Sequence, residues 1–240
     1  MKNRKILSFA MLLFAVGFTS AQDDLLNELN VEKSDAKEIE IAAFKGLQIC
    51  NMQSTKLTAK GEWYMLVSHR FGDLTQGFDN FFGLDDANTK IGGIYGVTDW
   101  LSLGASRHTY NKTYELAAKY KLANQEINGF PVTIVGYNTI DVNTKLEKLL
   151  YPGIEFNDRL AFSTQLLVSR KFSNSFSFQL APIYVHKNLY ESGLEKKDQF
   201  FIGSGARYKI AKRMSLNLEY AARVSDQQGS PYQNPLTLGL

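Results

Sequence analysis

From Leu57 to Leu240 one pattern recurs, segment after segment: apolar and polar residues alternate, and each run ends at a polar break. A period of two sends successive side chains to opposite faces of an extended strand, so every such run has one apolar and one polar face. Met214 to Val224 is the clearest case, with Met214, Leu216, Leu218, Tyr220 and Val224 opposed to Ser215, Asn217, Glu219 and Arg223. Glu62 to Phe71 and Tyr114 to Leu122 follow the same rule. About ten strands are expected, near 57–71, 89–97, 100–108, 114–122, 131–142, 159–172, 175–187, 199–210, 213–224 and 235–240.

The connections carry a second regularity. Short turns at Thr98-Asp99, Ser173-Asn174-Ser175 and Ala211-Lys212-Arg213 alternate with longer stretches at 72–88, 143–158, 188–198 and 225–234. Transmembrane barrels alternate short periplasmic turns and long outer loops in this way. Two connections fit less well: 109–113 is short for an outer loop and 123–130 long for a turn. Three turns share a local repeat, a polar tight turn followed by apolar-Ser-apolar, as in Trp100-Leu101-Ser102-Leu103, Phe176-Ser177-Phe178 and Met214-Ser215-Leu216. That is a hairpin signature. Aromatic residues stand at many strand ends, among them Trp63, Phe71, Tyr95, Trp100, Tyr110, Tyr114, Phe172, Phe176, Tyr184, Phe200 and Tyr220. Rings in those places suit the headgroup level of a bilayer, and strands of about ten residues suit a tilted span. The expected fold is an all-β, antiparallel, transmembrane up-and-down β-barrel. A soluble β-sandwich with the rings in its core is the competing fold.

The first residues set the route. Lys2, Arg4 and Lys5 precede an apolar run from Ile6 to Phe18 and a small-residue site at Thr19-Ser20-Ala21, which reads as a signal peptide over residues 1–21 with cleavage after Ala21. The apolar run is shorter than the roughly 20 residues of a transmembrane helix. The 27 basic residues include those three, so the mature chain carries 24 against 24 acidic residues, and the formal charge of +3 vanishes with the leader. A neutral chain without a basic cluster excludes a nucleic-acid partner. Residues 22–56 are expected as a periplasmic N-terminal segment, acidic and moderately amphipathic at first, with an unplaced strand near Cys50. Cys50 is the single cysteine, which rules out an intramolecular disulfide, and no His or acidic partner stands at metal-ligand spacing from it. No cofactor and no metal are expected.

Six residues from Pro235 to Leu240 are too few to cross a bilayer, where about 9–11 are needed, and an open edge in lipid leaves backbone groups unpaired. The barrel of residues 57–240 is therefore expected to be truncated at its C-terminus, with about ten strands present and twelve when complete.

Turning the polar faces inward gives a lumen set of Arg70, Glu115, Lys119, Lys121, Arg207, Lys209, Glu219 and Arg223, together with Glu62 and Lys171, and that set leans basic. In open water it would favour anions. A barrel of this size is also nearly filled by its own side chains, so a salt-bridged and closed interior is an equal expectation. The first long loop combines Asp73, Asp79 and Asp85 with Phe78, Phe81 and Phe82, unusually apolar for a water-facing loop. It is a candidate constriction or ligand contact, with a self-packed surface loop as the alternative.

An enzyme reading rests on His69, His108 and His186, the three histidines. Ser68 and His69 are neighbours in a strand and point to opposite faces, so they cannot form a nucleophile–base pair; Ser106 and His108 share a face two residues apart. The sequence offers no Gly-rich phosphate loop, no zinc spacing and no paired carboxylates at a spacing that its period brings together. A non-enzymatic protein is expected.

Several stretches resemble an uncharacterised family, a membrane-bound β-barrel domain of unknown function found in bacterial outer membranes. They are His69-Arg70-Phe71-Gly72-Asp73, Gly77-Phe78-Asp79-Asn80-Phe81-Phe82-Gly83-Leu84-Asp85, Gly96-Val97-Thr98-Asp99, Lys112-Thr113-Tyr114 and Ala206-Arg207-Tyr208-Lys209-Ile210. The similarity runs from about Phe44 to the end, and the segment from Gly77 to Asp85 is its most specific part. The resemblance implies the fold and the outer-membrane location, but no substrate and no catalytic residue. It also implies further chain beyond Leu240, with a Gly-rich stretch and a last strand ending near an aromatic. The expected function is a small pore or binding protein for polar or anionic solutes in outer-membrane lipid, set against a structural or partner-docking barrel and a lipid-acting enzyme.

Overall fold

In a computed structural model, the described residues are 38–72, 77–85, 87–146, 149, 151–225 and 234–240. The expected signal peptide, the acidic stretch up to residue 37 and Asp73 lie outside them. The chain divides into two units, Met1–Ile39 and Glu40–Leu240, and the second contains all the strands among the described residues.

Ten strands form one sheet in chain order, each antiparallel to the next. They are β1 (Trp63–Arg70), β2 (Asn88–Gly96), β3 (Leu101–His108), β4 (Tyr114–Ala123), β5 (Thr133–Val142), β6 (Leu160–Lys171), β7 (Phe176–Lys187), β8 (Asp198–Lys209), β9 (Ser215–Arg223) and β10 (Leu236–Gly239). The up-and-down order is what alternation with short polar turns dictates, since each hairpin pairs a strand with its sequence neighbour. Among the described residues β1 and β10 are not paired with each other.

One strand departs from expectation. Alternation suggested a start at Leu57, yet β1 begins at Trp63. The six residues before it are diverted to the concave side: Thr58 N–H donates to Ser102 Oγ at 3.2 Å, and Gly61 turns the chain with φ +79° before donating to Gly96 O at 2.8 Å. Gly96 has to be a glycine here, because a Cβ would run into the backbone carbonyl of Ala59.

The two faces of the sheet are opposite in character. Met65 is 79% exposed, and Val67, Ile91, Leu103, Leu116, Leu122, Ile140, Leu180, Ile202 and Leu218 are exposed on the same outer face. The inner face carries Gln179 at 0% exposure, with Ser102, Lys119, Thr139, Ser169, Ser177 and Glu219 all buried. A soluble protein would bury the first set and expose the second. An apolar outside wrapped around a polar inside suits a sheet whose outer face meets lipid. No helix among the described residues is long and apolar enough to cross a membrane, which says nothing about crossing by strands. A small apolar core also lies inside, with Val135, Tyr137, Leu167 and Ala181 packed against Met52, Leu57, Ala117 and Ile183.

The sheet is strongly curled, as one short stretch of chain demonstrates. Within residues 51–55, Asn51 Nδ2 donates to Thr237 Oγ1 on β10, Met52 N–H to Glu219 on β9, and Gln53 O accepts from Gln179 Nε2 on β7. Thr55 Oγ1 meets Ser169 Oγ on β6, and Ser54 O accepts from Lys119 Nζ on β4. Flat, β4 and β10 would stand about 29 Å apart at the usual interstrand spacing. Five residues that contact all of these strands require the sheet to wrap around them.

Candidate functional site

Residues 40–58, of which 40–56 are expected in the N-terminal segment and 57–58 in the first strand, run along the concave face. Glu40 starts the run at the short-turn end, where its N–H donates to Gln125 O at 2.9 Å and its carboxylate meets Lys171 Nζ at 2.8 Å. The hydrogen bond from Lys171 holds the Glu40 carboxyl below its ordinary range. The chain then climbs and folds into a tight hairpin. Ser54 N–H donates to Leu47 O at 3.0 Å, Ile49 N–H to Met52 O at 2.9 Å, and Gln48 pairs with Gln53. It returns past Thr58 to the short-turn end and enters β1.

Two buried charges hold this hairpin, and each answers a need of its backbone. Lys119, 6% exposed, donates from Nζ to Leu47 O at 3.0 Å, Ser54 O at 3.1 Å and Lys56 O at 3.2 Å. An ammonium has three donors, and here each finds a carbonyl. Glu219, 3% exposed, accepts from the N–H groups of Cys50 at 2.7 Å, Asn51 at 2.9 Å and Met52 at 2.9 Å. A hairpin in a sheet interior would strand all of these backbone groups but Leu47 O, which also accepts from Ser54 N–H; the two charged side chains satisfy them. Cys50 lies at the tip, and burial followed by the nearby Glu219 charge pushes its thiol up.

The opposing wall is cut back to admit the tip. On β8, a Cβ at Gly203 would meet Met52 and one at Gly205 would meet Ile49. On β10, a Cβ at Gly239 would stand 2.6 Å from Cys50 Sγ. All three glycines sit on the inward face, where a larger side chain would force the side chains at the hairpin tip to shift.

Above the hairpin, toward the long-loop end, lies a chamber of about 680 Å³. Gln48, Asn51, Met52 and Gln53 form its floor, and Arg70, Lys90, His108, Glu115, Tyr137 and Asp141 are in its wall. Most of the wall charge is internally paired. Glu115 accepts from Lys90 Nζ at 2.8 and 2.9 Å and from Ser106 Oγ at 3.3 Å, and its second oxygen lies 3.3 Å from His108 Nε2. Asp141 stands opposite Glu115 in the β4–β5 register, and its buried Oδ1 has no hydrogen-bond partner among the described residues. A second cavity of about 440 Å³ shares His108, Tyr110 and Asp141 and continues toward Asp158, Arg159, Lys187 and Glu195.

The register brings together two carboxylates that spacing in the sequence does not. Glu115 and Asp141 are far apart along the chain and were not expected to meet; only the alignment of β4 with β5 makes them neighbours. The histidines are arranged differently from a nucleophile–base pair. Ser106 and His108 share a face, yet both turn to Glu115. His69 packs edge-on against Phe71, and His186 Nδ1 meets Asp198 Oδ1 at 2.7 Å, an oxygen that also accepts from Tyr184 O–H at 2.6 Å. No group of His, Cys, Asp or Glu among the described residues is arranged to hold a metal ion.

The other residues read from the sequence as lumen-facing take these places. Arg70, at the end of β1, lines the chamber. Lys121 lies on the plug-bearing face of β4, two residues beyond Lys119 and opposite Val135. Arg207 and Lys209 stand on the same face near the short-turn end of β8, opposite Asn217 and Ser215. Arg223, at the other end of β9, stacks over Phe201 with 5.5 Å to the ring centroid.

The aromatic loop is folded on itself. Phe78 and Phe82 pack with centroids 4.8 Å apart, Phe81 lies 6.5 Å from Phe82, and all three rings are exposed. Asn80 is buried beneath them and accepts from Gly83 N–H at 2.9 Å. Asp79 and Asp85 belong to the same turn. None of these side chains lines the chamber; the interior is occupied by the segment before β1.

No curated protein and no solved structure matches the chain. Residues 44–240 match the family described as Membrane bound beta barrel domain, DUF5777. That range takes in the anchored hairpin as well as all ten strands. With its inside-out sheet and one family match over most of its length, the chain belongs to this family of membrane-bound β-barrel domains of unknown function.

Proposed function

We propose that this is a non-enzymatic outer-membrane barrel, exported through a cleaved signal peptide, which holds a small polar solute at its outer mouth and does not let solutes diffuse through. The observation that carries this reading is the hairpin of residues 47–54 across the interior, fixed by Lys119 and Glu219. An anion-selective pore needs free fixed charge at an open constriction. Lys119 is committed to carbonyl groups, Glu219 to amides, and Lys90 to Glu115. With the short turns on the periplasmic side and the long loops outside, the 680 Å³ chamber faces the exterior. Its size lies within the range of small-molecule sites.

A structural barrel with a closed lumen is supported by the same hairpin, and solute binding separates the two. Planar-bilayer recording on the full-length protein tests the closed lumen. The wild type is expected to give no steady open-pore current, and a Lys119→Met, Glu219→Ala double variant is expected to give openings. Large steady currents in the wild type, unchanged in the double variant, would reject the reading.

A further inference from the structure

The chamber has two wall charges of opposite sign that take part in no ion pair among the described residues. Lys90 and Glu115 neutralise each other at 2.8 Å. Among the described residues Arg70 forms no ion pair and Asp141 forms none either, and one Asp141 carboxylate oxygen is buried and lacks a hydrogen-bond donor. Arg70 ends β1 and Asp141 is near the end of β5, so the two face each other across the concave side at the same end of the sheet. We infer that the chamber binds a short zwitterionic peptide, its terminal carboxylate on Arg70 and its terminal ammonium on Asp141. This rests on the closed, solute-holding reading above.

The chemistry fits each end. A guanidinium presents parallel N–H donors that match a carboxylate, and an ammonium supplies donors that match the chamber-facing part of the Asp141 carboxylate. Arg70 is exposed, so its donors are open to an incoming carboxylate, and Asp141 is half-buried in the opposite wall. The lining between the two charges suits a peptide backbone. Asn51, Gln53, Gln165, Ser163, Thr139 and Tyr137 offer amide and hydroxyl groups that both donate and accept. A solute with net negative charge would leave Asp141 unanswered, and a simple cation would leave Arg70 unanswered.

Length follows from the sheet. Four interstrand steps separate β1 from β5, about 19 Å along the curled surface. Curvature and the reach of the two side chains shorten this, which favours a short peptide; three extended residues span about 10 Å.

The test is calorimetric titration of the full-length protein in detergent with tri-alanine, its N-acetyl form, its C-terminal amide and free alanine. Tri-alanine is expected to bind saturably. Each blocked form is expected to bind about 10- to 100-fold more weakly, the effect of one lost charged hydrogen bond. Free alanine should bind weakest, since it cannot span both sites. Arg70→Gln should abolish the penalty for amidation while keeping that for acetylation, and Asp141→Asn should do the reverse. Equal binding of tri-alanine and its two blocked forms to the wild type, or no saturable binding of any of them, would overturn the inference without relying on a variant that folds. Bilayer recordings on the same preparation keep the two readings apart: a silent protein that ignores tri-alanine contradicts the peptide site alone, whereas steady wild-type current contradicts the closed lumen.

Discussion

Lys119→Met is expected to cost about 3 kcal/mol or more of stability and to free residues 47–56 from the wall, although methionine fills nearly the same volume. The size of the effect comes from what the substitution leaves behind. The carbonyl oxygens of Ser54 and Lys56 lose their donor at once, and that of Leu47 keeps only Ser54 N–H, in a place where Lys119 itself is 6% exposed. A buried acceptor left without a partner costs about 1–3 kcal/mol, less whatever water can recover by entering. Lys121→Met is the matched control. It sits on the same strand and face, two residues nearer the short turn, and holds no part of the hairpin. The urea midpoint, or the temperature at which the folded band disappears on a semi-native gel, should fall for the first variant and stay near wild type for the second. Similar midpoints for both would show that the Lys119 contacts contribute little.

Glu219→Ala is expected to act from the opposite wall with comparable size, about 3 kcal/mol, because three backbone N–H groups lose one common acceptor. Glu219→Gln should fall between alanine and wild type. Its amide oxygen can still accept, but its NH₂ group then faces an N–H donor of the hairpin tip. The order wild type, Gln, Ala in urea midpoint is therefore the predicted signature. An alanine variant as stable as wild type would mean that the tip is held by packing against β8 and β10 and not by the carboxylate.

The strands were legible because their signal is local. Alternation placed nine of the ten close to their observed bounds, and it also put Glu115, Lys119 and Glu219 on the polar face, since parity along a strand needs no knowledge of partners. It misplaced the start of β1, where Leu57 and Thr58 continue the alternation but face the interior beneath Ser102. The function of the inward charges was not legible. Lys119 and Glu219 read as charges lining water, and their true partners are backbone groups 63 to 169 residues away, which no spacing rule connects.

The hairpin itself escaped for the same reason. Residues 40–58 have no sustained period, because their hydrogen bonds run to wall side chains and not to a neighbouring strand. A faint signal was present. Gly203 and Gly205 fall on the inward face of β8, and small residues at alternate positions of one strand mark a place where another backbone comes close. The apolar first loop reads as a constriction, a ligand contact or a self-packed surface loop; Phe78 and Phe82 pack on each other, and neither lines the chamber. The Glu115–Asp141 pair depended on the β4–β5 register, which the long connection after β4 hides from any reading of the sequence.

The central claim is that the hairpin lies inside, with its tip against the last strand, and a single engineered thiol tests it. A Cβ built at Gly239 stands 3.8 Å from Cys50 Cβ, close to the usual separation of about 3.8 Å in a disulfide. Since Cys50 is the only native cysteine, the Gly239→Cys variant has one possible intramolecular pairing. Folded in membranes and exposed to a mild oxidant, it is predicted to close the Cys50–239 bond nearly completely, seen by mass as the loss of two hydrogens and by its failure to take up a thiol label. Two freely labelled thiols in the folded, oxidised protein would contradict the account, because they would place residues 47–54 away from the inner wall.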